Sequence, residues 1–405
     1  MKLIKIDEKL YNDYKTDVIF NAYKWDPQVE DSNTVSEYVL LIDEKTYDEI
    51  NYLVKALSLE TREIEKAFLD NKKLINKLNL PRKITKYLKK IDDYNFGDNV
   101  NLNRYDFHPT TKGWMISEVN SDVPGGLAES SLLPLIAKKY VKIGDVPYNL
   151  GKSLYESFMA VNKNIKNISF VHATSYSDDR QVMQFLGDYF DSMGLKSFYN
   201  APEHLVFNEN KIVFNVLEEE NIDAIFRFFP LEWLDNLSKK YNYSGYFSNS
   251  ITSCNHPVNI LSQSKNVPLY FDKLNLELKT WKKMLPNTIS IKEFNNNKDK
   301  YSNYIFKPVL GRVGEGISIK EAITDKEYKT IKKAVKKYPK DWIAQERFES
   351  VPLKTADNEI FHLCLGVFSI NDNSSGLYAR ISKSPRIDNK AIDIPVLIYK
   401  EDSNG

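Results

Sequence analysis

The chain has 405 residues, of which 42% are apolar, and its formal net charge is +1. This length is enough for two or three hydrophobic cores, and the composition excludes an intrinsically disordered protein. Because the charge is almost balanced, nothing in it predicts nucleic acid or a membrane surface as a partner.

Cysteine and histidine usage narrows the class of protein further. Cys254 and Cys364 are far apart and lack metal-ligand spacing. No signal-peptide core follows Met1, and no apolar run approaches the length of a membrane span, so a reduced cytoplasm is expected. The five histidines are scattered, which predicts neither a zinc site nor a histidine-based triad.

Residues 1–100 are predicted to be mainly helical and to pack beside a catalytic sheet. Apolar residues at helical spacing predict a helix at Thr46–Leu57, after a strand at Tyr38–Ile42. A second helix is predicted from Leu59 to about Leu78, and Pro81 opens a third that continues through Leu88. No chemistry is predicted in this region.

The stretch from Asn103 to Asn120 predicts a β-hairpin. Aromatic and aliphatic residues flank Pro109-Thr-Thr-Lys-Gly113 on both sides, and this segment has the composition of a turn. A three-residue loop, Thr111–Gly113, is predicted, with Gly113 in the left-handed conformation. This loop length determines which residues of the two strands lie opposite each other.

The predicted register brings four polar side chains to one face of the hairpin. Arg104 lies opposite Asn120, and Asp106 lies opposite Glu118. Two carboxylates this close repel each other unless a cation lies between them, and such oxygen ligands suit Mg²⁺. The adjacent arginine suits a phosphate that bridges to the metal. The alternative is a solvated polar face with an ordinary ion pair.

A short α/β unit is predicted for residues 150–260. Before it, Pro124–Gly126 precedes a predicted helix at Ala128–Tyr140 and makes either a modest anion site or a plain turn. The unit's predicted elements are helices at Gly151–Val161 and Arg180–Met193, strands at Ile168–Ala173, Lys196–Tyr199 and Asp223–Phe229, and a hairpin around Asn208–Asn210. A small substrate is expected at loops after strand ends, such as Thr174–Asp178. No G-x-G-x-x-G is present, which disfavours a dinucleotide.

The last region begins near Leu261. Its predicted elements are a helix at Asp272–Leu285, strands at Tyr304–Pro308, Ile317–Ile319, Trp342–Phe348, Phe361–Ile370 and Ser375–Arg380, and a solvated helix at Tyr328–Tyr338. Glycines between Gly311 and Gly316 predict a mobile loop whose backbone can approach phosphate oxygens. A flexible hairpin without a ligand is the alternative.

Several of these stretches occur in the same order in glutathionylspermidine synthase-like ATP-grasp ligases, and this sequence resembles that family from about residue 95 to the end. The shared stretches are Arg104-Tyr-Asp106, Glu118-Val-Asn120-Ser-Asp122-Val-Pro124, Phe226-Arg-Phe-Phe-Pro230-Leu-Glu232-Trp233, Lys273 in its helix, Lys307-Pro-Val-Leu-Gly311-Arg312, Gln345-Glu346 with Phe348, and Gly376-Leu-Tyr-Ala-Arg380. One such motif alone is weak evidence for the family, but the consistent order of the motifs makes the resemblance specific. It covers the synthetase part only, without an amidase domain.

The resemblance implies an ATP-grasp fold of the α/β (α+β) class. The implied parts are a mainly helical region at 1–100, a metal-binding hairpin and helix of the core at 101–149, an inserted pre-ATP-grasp-like α/β substrate domain at 150–260, and a nucleotide-binding region with a glycine-rich lid at 261–405. Such ligases transfer the γ-phosphate of ATP to a carboxylate, and an amine then attacks the acyl phosphate to give an amide. The implied cofactors are ATP and two Mg²⁺ ions. The implied substrates are a peptide or amino-acid carboxylate and an amine, with polyamines among the candidates.

Residue roles follow from the resemblance in the same way. Asp106, Glu118 and Asn120 would bind Mg²⁺, and Arg104 and Arg380 would bind the transferring phosphate and the oxyanion. The implied ATP-binding residues are Lys273, Lys307, Gly311, Arg312, Gly314, Gly316, Gln345 and Glu346. For Lys273 and Lys307 the alternatives are a surface lysine and a sheet-edge lysine.

Two positions depart from the family pattern. Val313 stands where many relatives have an acid, and Leu231 replaces an aromatic residue. These departures affect the expected substrate more than the reaction. Two other functions remain open, a small-molecule kinase and a non-catalytic ATP-binding scaffold.

Overall fold

A computed structural model describes residues 1–25, 27–29, 32–208, 213–237, 243–248, 250–311 and 314–400. In these ranges the protein combines helices with several separate sheets, which is the predicted mixed α/β (α+β) class. None of the helices in this part of the chain has both the length and the apolar character that a membrane crossing requires.

The N-terminal region is helical with a few strands. Its elements are β1 (Lys2–Lys5), α1 (Glu8–Asn21), β2 (Gln28–Val29), β3 (Ser32–Asn33), β4 (Tyr38–Asp43), α2 (Glu44–Asp70), α3 (Lys72–Ile75) and α4 (Arg82–Leu88). The predicted strand before α2 and the helix after Pro81 are confirmed. The prediction of separate helices on either side of Ser58 was wrong. The apolar stripe continues through Leu57 and Ile64 without a glycine or proline, so α2 is one helix.

The predicted hairpin is formed by β5 (Leu102–Thr110) and β6 (Gly113–Asn120), and α5 (Leu127–Tyr140) follows it. The next unit comprises α6 (Leu150–Val161), β7 (Asn167–His172), α7 (Ser177–Ser192), β8 (Lys196–Asn200), β9 (Leu205–Phe207), β10 (Val213–Asn215), β11 (Glu220–Ile222), β12 (Ala224–Phe228) and β13 (Thr252–Cys254). Strands β13, β12, β7 and β8 pair in that order and in parallel, which confirms the predicted parallel component. The predicted turn at Glu209–Asn210 lies outside the described residues.

The C-terminal region contains α8 (Ile260–Gln263), α9 (Phe271–Leu274), α10 (Lys279–Met284), β14 (Thr288–Ser290), α11 (Ile291–Asn296), β15 (Tyr304–Pro308), α12 (Asp325–Lys337), β16 (Trp342–Glu346), β17 (Leu353–Lys354), β18 (Ile360–Ile370), β19 (Asn373–Ser382), β20 (Ile392–Ile394) and β21 (Val396–Tyr399). Short 3₁₀ helices lie at Phe96–Asp98, Pro202–His204, Leu231–Asn236, Tyr243–Phe247, Pro257–Asn259, Val267–Tyr270, Lys320–Ala322 and Pro339–Asp341.

Two predicted elements of this region were wrong. The helix expected at Asp272–Leu285 is divided into α9 and α10, because Asn275 adopts a left-handed conformation (φ 55°) that ends the first helix. The segment Ile317–Ile319 is not a strand. It is held to β15 by one backbone hydrogen bond, from Ser318 N–H to the Phe306 carbonyl at 3.2 Å.

Two antiparallel sheets position the candidate site. The larger has the strand order β20-β19-β18-β5-β6, with β17 paired to β18. The smaller has the order β14-β16-β15. A third sheet, β1-β4-β21, pairs the N-terminal strands with the last one, and β21 runs parallel to β4. The N-terminal region therefore packs on the same core as the C-terminal strands.

The β5–β6 hairpin has a different turn and register from those predicted, although Arg104 keeps its predicted partner. The predicted three-residue loop was wrong, because Thr110 pairs with Gly113 across a two-residue turn. Gly113 does take a positive φ of 96°, as predicted. The pairing then shifts between Tyr105 and Phe107, which pair with Val119 and Ile116 respectively. This β-bulge restores the predicted partner of Arg104.

The bulge also changes the position of Glu118 relative to Asp106. Arg104 pairs with Asn120, as predicted, but the direct pairing of Asp106 with Glu118 was wrong. Both Ser117 and Glu118 lie opposite Asp106, since the bulged strand contributes two residues against one. The extra residue re-aims the Glu118 side chain relative to a regular ladder.

A buried ion pair connects the end of this hairpin to the parallel sheet. Asp122, just after β6, lies 2.7 Å from Arg227 of β12, and both side chains are 1% exposed. Asp122 also accepts a hydrogen bond from the Leu231 N–H at 3.0 Å. A buried charge is stable only when it is paired, so these contacts determine the position of the α/β unit relative to the hairpin.

Candidate active site

A cleft of about 410 Å³ lies between the large antiparallel sheet and the smaller sheet. The large sheet contributes Asp106, Glu118 and Arg380, and the small sheet contributes Lys307 and Gln345. Side chains alternate along a strand, so each sheet presents every second residue to the cleft. The cleft thus gathers residues that the sequence distributes over most of the chain.

Asp106 is held by Arg104 in a two-point contact. Nε of Arg104 donates to Oδ1 of Asp106 at 2.7 Å, and Nη2 donates to Oδ2 at 3.1 Å. Nη1 of Arg104 donates to the Gly125 carbonyl at 2.8 Å. Burial disfavours both charges, but the pairing with Arg104 holds the pKa of Asp106 below its usual range. Arg104 itself does not line the cleft, so its geometry fits orienting Asp106 better than binding a substrate phosphate.

Glu118 has a cationic partner that sequence analysis missed. Nζ of Lys265 lies 2.7 Å from Oε2 of Glu118 and donates to the Gly311 carbonyl at 2.8 Å. The Lys265 side chain is only 9% exposed. It stands in the segment between α8 and α9, where no spacing rule marks it. It therefore places a positive charge beside the predicted metal-binding acid and the predicted glycine loop.

Lys307 of β15 is a second buried cation in the cleft. It is 3% exposed, and its Nζ donates to the Ser117 carbonyl at 3.3 Å. Burial lowers the pKa of Lys307 to about 8. The positive charge of Lys265 lowers this pKa as well, whereas the negative charges of Glu118 and Asp106 raise it. Two lysines, Lys265 and Lys307, therefore contact strand β6 of the hairpin.

Arg380 of β19 lines the cleft and forms no hydrogen bond within the described part of the chain. Its guanidinium carbon lies 5.6 Å from the centre of the Tyr378 ring, and that of Arg104 lies 5.5 Å from the same ring. Tyr378 donates from its hydroxyl to Asp393 at 2.6 Å, which fixes the ring. Burial opposes the charge, but nearby acidic groups keep the pKa of Arg380 above its usual range. Arg380 is thus a charged donor with unused hydrogen-bonding capacity.

The residues assigned to Mg²⁺ fit a metal that is shared with a ligand. Asp106 and Glu118 supply carboxylate oxygens to the same cleft. Asn120 does not line it, and its buried side-chain nitrogen, which has no hydrogen-bond partner in the described ranges, is a donor and not a metal ligand. No group of three or more histidine, cysteine or acidic side chains in those ranges could hold a metal. Mg²⁺ commonly binds through one or two carboxylates together with substrate phosphates. The donor set agrees with that mode and not with an all-protein cage.

The residues that the resemblance implies for ATP binding do not all line the cleft. Lys273 of α9 is exposed and lines a different pocket, beside α2, with its Nζ 5.3 Å from the Tyr270 ring centre. Gly314 lines the cleft with φ of 70°, and a Cβ there would lie 2.5 Å from the Ile387 carbonyl. Gly311 contributes its carbonyl to Lys265, and Gly316 (φ 67°) packs near Trp342. Arg312 lies outside the described residues.

Strand β16 belongs to a wall of the cleft that has both polar and apolar side chains. Gln345 donates to Thr288 at 3.0 Å and keeps a buried Oε1 without a partner in the described chain. Glu346 lines the cleft and is exposed. The apolar lining residues are Ile305, Ile317, Ile319, Phe348, Pro385 and Ile387. A flat ring with polar edges could be held between this apolar surface and the unsatisfied Gln345 oxygen.

His108 and Cys364 also line the cleft, and sequence analysis did not select them. His108 contacts the Ser117 hydroxyl at 3.1 Å and the Leu363 carbonyl at 3.2 Å. Burial lowers its pKa to about 4, so the imidazole is neutral at physiological pH. The alternation from Asp106 to His108 along β5 could have indicated that both face the cleft. The Cys364 thiol is buried, and burial raises its pKa.

The sequence is similar to known proteins of one family. The sequence matches the family model described as "Glutathionylspermidine synthase preATP-grasp" over residues 5–399. No curated protein matches the sequence significantly. Among solved structures, the chain is similar to a crystal structure of a provisionally assigned gamma-glutamylcysteine synthetase from Methylobacillus flagellatus KT. That alignment has 12% identity, covers 82% of this chain and 84% of the other, and has a TM-score of 0.43, which supports no conclusion about the site.

Proposed function

Because the chain belongs to the glutathionylspermidine synthase preATP-grasp family, we propose that it is an ATP-dependent ligase that joins a carboxylate to an amine. The observation that carries this proposal is the set of charges in the cleft. Lys307 and Arg380 line a space of about 410 Å³ together with the acids Asp106 and Glu118, and Lys265 is paired with Glu118 at 2.7 Å. Buried cations beside potential metal ligands suit a reaction that gathers phosphate and carboxylate oxygens.

The first proposed step is phosphoryl transfer. A carboxylate oxygen of the acid substrate attacks the γ-phosphorus of ATP, the bond to the β–γ bridging oxygen breaks, and ADP leaves. Negative charge is concentrated on the phosphate oxygens throughout this step, and catalysis consists mostly of positioning and charge stabilisation. Lys265 and Lys307 would contact these oxygens, and the glycines at 311, 314 and 316 would cover them.

The second proposed step forms the amide. The amine nitrogen attacks the acyl carbon, an oxyanion forms, the carbon–oxygen bond to phosphate breaks, and the nitrogen loses a proton. The planar guanidinium of Arg380 can hold two oxygens at once and would stabilise the transferring phosphoryl group and the oxyanion. It is suited to this because it has no hydrogen bond to another residue of the described chain.

Metal and nucleotide would be held by different walls of the cleft. Bound Mg²⁺ neutralises phosphate charge. Asp106, oriented by Arg104, would hold it together with Glu118. Gln345 and Glu346 would bind the adenine edge beside the apolar wall. We assign no phosphate contact to Lys273, since it is exposed on another surface.

The α/β unit at residues 150–260 is the proposed substrate domain. Its loop at residues 173–176 follows the end of β7, where parallel sheets commonly bind ligands, and the last two residues of the predicted loop, Ser177 and Asp178, belong to α7. Tyr176 of this loop and Trp233 lie with ring centres 5.8 Å apart, and both are exposed. Such an aromatic pair could contact an alkyl or cationic substrate group. Both cysteines are unpaired and buried, which agrees with action in a reducing cytoplasm.

The proposal is tested by following the nucleotide products and trapping the intermediate. Purified protein, ATP and Mg²⁺ would be incubated with pools of carboxylates and amines, with mass spectrometry of the products. We expect ADP and phosphate in equal amounts, an amide product, and a hydroxamate when hydroxylamine replaces the amine. AMP and pyrophosphate would overturn the acyl-phosphate route. A stable phosphoester would identify a kinase, and ATP binding without turnover would identify a scaffold.

A further inference from the structure

A second cavity, of about 140 Å³, lies on the side of the large sheet that faces α2. Its lining residues are Ser58, Arg62, Glu65, Phe96, Gly97, Asn101, Asn103, Asn259, Asn371 and Asp372. Asn103 and Arg104 are adjacent on β5 and point to opposite faces of the sheet. The sheet therefore separates this cavity from the cleft that contains Asp106, and no residue lines both.

The cavity contains one buried carboxylate without a cationic partner. Asp372 is paired with Arg62 at 2.5 Å and accepts a hydrogen bond from Ser58 at 3.0 Å. Glu65 is 2% exposed and forms no ion pair within the described residues. Its hydrogen bonds come from the neutral groups of Ser262, at 2.5 Å, and Asn259, at 3.2 and 3.3 Å. An uncompensated buried charge is costly, and either a proton or a cation must neutralise it.

Two buried amide oxygens at the cavity also lack donors. The Nδ2 atom of Asn259 donates to Glu65 and, at 3.0 Å, to Oδ1 of Asn101. These acceptors assign which end of the Asn259 amide is the nitrogen, and the other end, Oδ1, has no hydrogen-bond partner in the described chain. Oδ1 of Asn103 is likewise buried without a partner there. An unsatisfied buried acceptor destabilises the folded state unless a ligand supplies the missing contact.

We propose that this cavity binds a large monovalent cation of the potassium or ammonium kind, with Asn103 Oδ1, Asn259 Oδ1 and the Glu65 carboxylate as ligands. Neutral amide oxygens replace the hydration shell of such ions well. Only one carboxylate is uncompensated, since Arg62 already neutralises Asp372, and a single charge balances a monovalent rather than a divalent cation. The volume exceeds the roughly 30 Å³ of one water molecule, so the ion can keep part of its hydration.

This site is independent of the proposed ligase activity. The ion would connect α2, the start of β5 and the 3₁₀ helix Pro257–Asn259, because Glu65, Asn103 and Asn259 belong to these three segments. Anything that binds only the folded state raises its stability by mass action. The inference can therefore be tested by stability alone, whatever the enzyme does with ATP.

The test compares thermal unfolding of the full chain in the chlorides of potassium, ammonium, sodium and choline, at equal pH and ionic strength. We expect the melting temperature to rise saturably with potassium or ammonium relative to choline, by about 2 °C at ten times the dissociation constant. Glu65→Gln should abolish the rise. Glu63→Gln, on the exposed face of the same helix, should keep it.

Two further measurements keep the proposal falsifiable. If Glu65→Gln does not fold, Asn103→Ala takes its place. Crystals soaked in rubidium chloride should show anomalous density between Asn103, Asn259 and Glu65. An equal rise with sodium would overturn the assignment to a large cation. Equal melting temperatures in all four salts, without anomalous density, would show that the cavity holds water only.

Discussion

The Nζ atom of Lys265 lies 2.7 Å from Oε2 of Glu118, although the two residues belong to distant parts of the sequence. The pair joins the segment after α8 to strand β6. It shows that an acid predicted to bind a metal is already balanced by a buried cation. A phosphate group entering between them would be attracted by Lys265, while Glu118 keeps its Oε1 atom for a metal.

The first prediction compares Lys265 and Lys273 in their effect on MgATP binding. Lys265→Met keeps the aliphatic stem but removes the charge at the cleft, and we expect MgATP affinity to fall by about ten- to a hundredfold, the range of one charge-assisted contact. Lys273→Met is the matched control and should bind within about twofold of the wild-type protein, because Lys273 is exposed outside the cleft. Calorimetric titration measures both. Loss of affinity in Lys273→Met alone would contradict the proposed site.

The second prediction concerns Glu118. Glu118→Gln keeps the shape but removes one charge, so Mg²⁺ binding should weaken and turnover should fall by orders of magnitude while the fold survives. Raised Mg²⁺ should restore part of the activity. Glu277→Gln removes an equally short ion pair, to Lys279 at 2.7 Å, on the surface and should behave as the wild-type protein. Near-normal turnover of Glu118→Gln at low Mg²⁺ would mean that its carboxylate is not a metal ligand.

The third prediction concerns Arg380. A contact made mainly as charge moves in the transition state affects kcat more than substrate binding. Arg380→Lys should therefore bind ATP with about normal affinity but turn over at least roughly a hundredfold more slowly, since lysine cannot reproduce the planar fork. Calorimetry and steady-state kinetics together measure this. If the variant loses ATP affinity and keeps its kcat, Arg380 is a ground-state phosphate anchor.

The fourth prediction concerns the pH dependence of stability. Burial raises the pKa of Glu65 to about 8, against hydrogen bonds from Ser262 and Asn259 that lower it. The other charged or titratable groups acting here are Asp372, Arg62, Tyr94 and Tyr105. In the unfolded chain the carboxyl group releases its proton near pH 4.5, so between roughly pH 5 and 8 the folded state holds a proton that the unfolded state does not. The Glu65 contribution therefore destabilises the protein increasingly as pH rises through this window.

Glu65→Gln removes this titration. Its free energy of unfolding, relative to the wild-type value, should increase from pH 5 to pH 8 by up to a few kcal/mol and level off above pH 8. Urea denaturation at four pH values in choline chloride measures the slope without a cation that could fill the cavity. A difference independent of pH would show that Glu65 ionises normally.

Much of the secondary structure follows from local pattern. The β5–β6 hairpin, helix α5 and strand β15 were predicted, because alternation, turn residues and helical spacing act over a few residues. The predicted direct pairing of Asp106 with Glu118 was wrong, since a β-bulge depends on how the strand meets its neighbours. The division of α9 from α10 at Asn275 was missed for a similar reason, because tertiary packing overrode helix periodicity.

The available chemistry can be read from the amino-acid sequence: acids and an amide alternate on one hairpin, a lysine lies in β15 and an arginine lies in β19. Which of them meet was decided by tertiary structure. Lys265, in the turn after α8, reaches Glu118, and Lys273, in α9, does not. A lysine's place in a site depends on which face of its segment packs against the sheets. That face is set by the whole core, because burial is a property of neighbours far away in the chain.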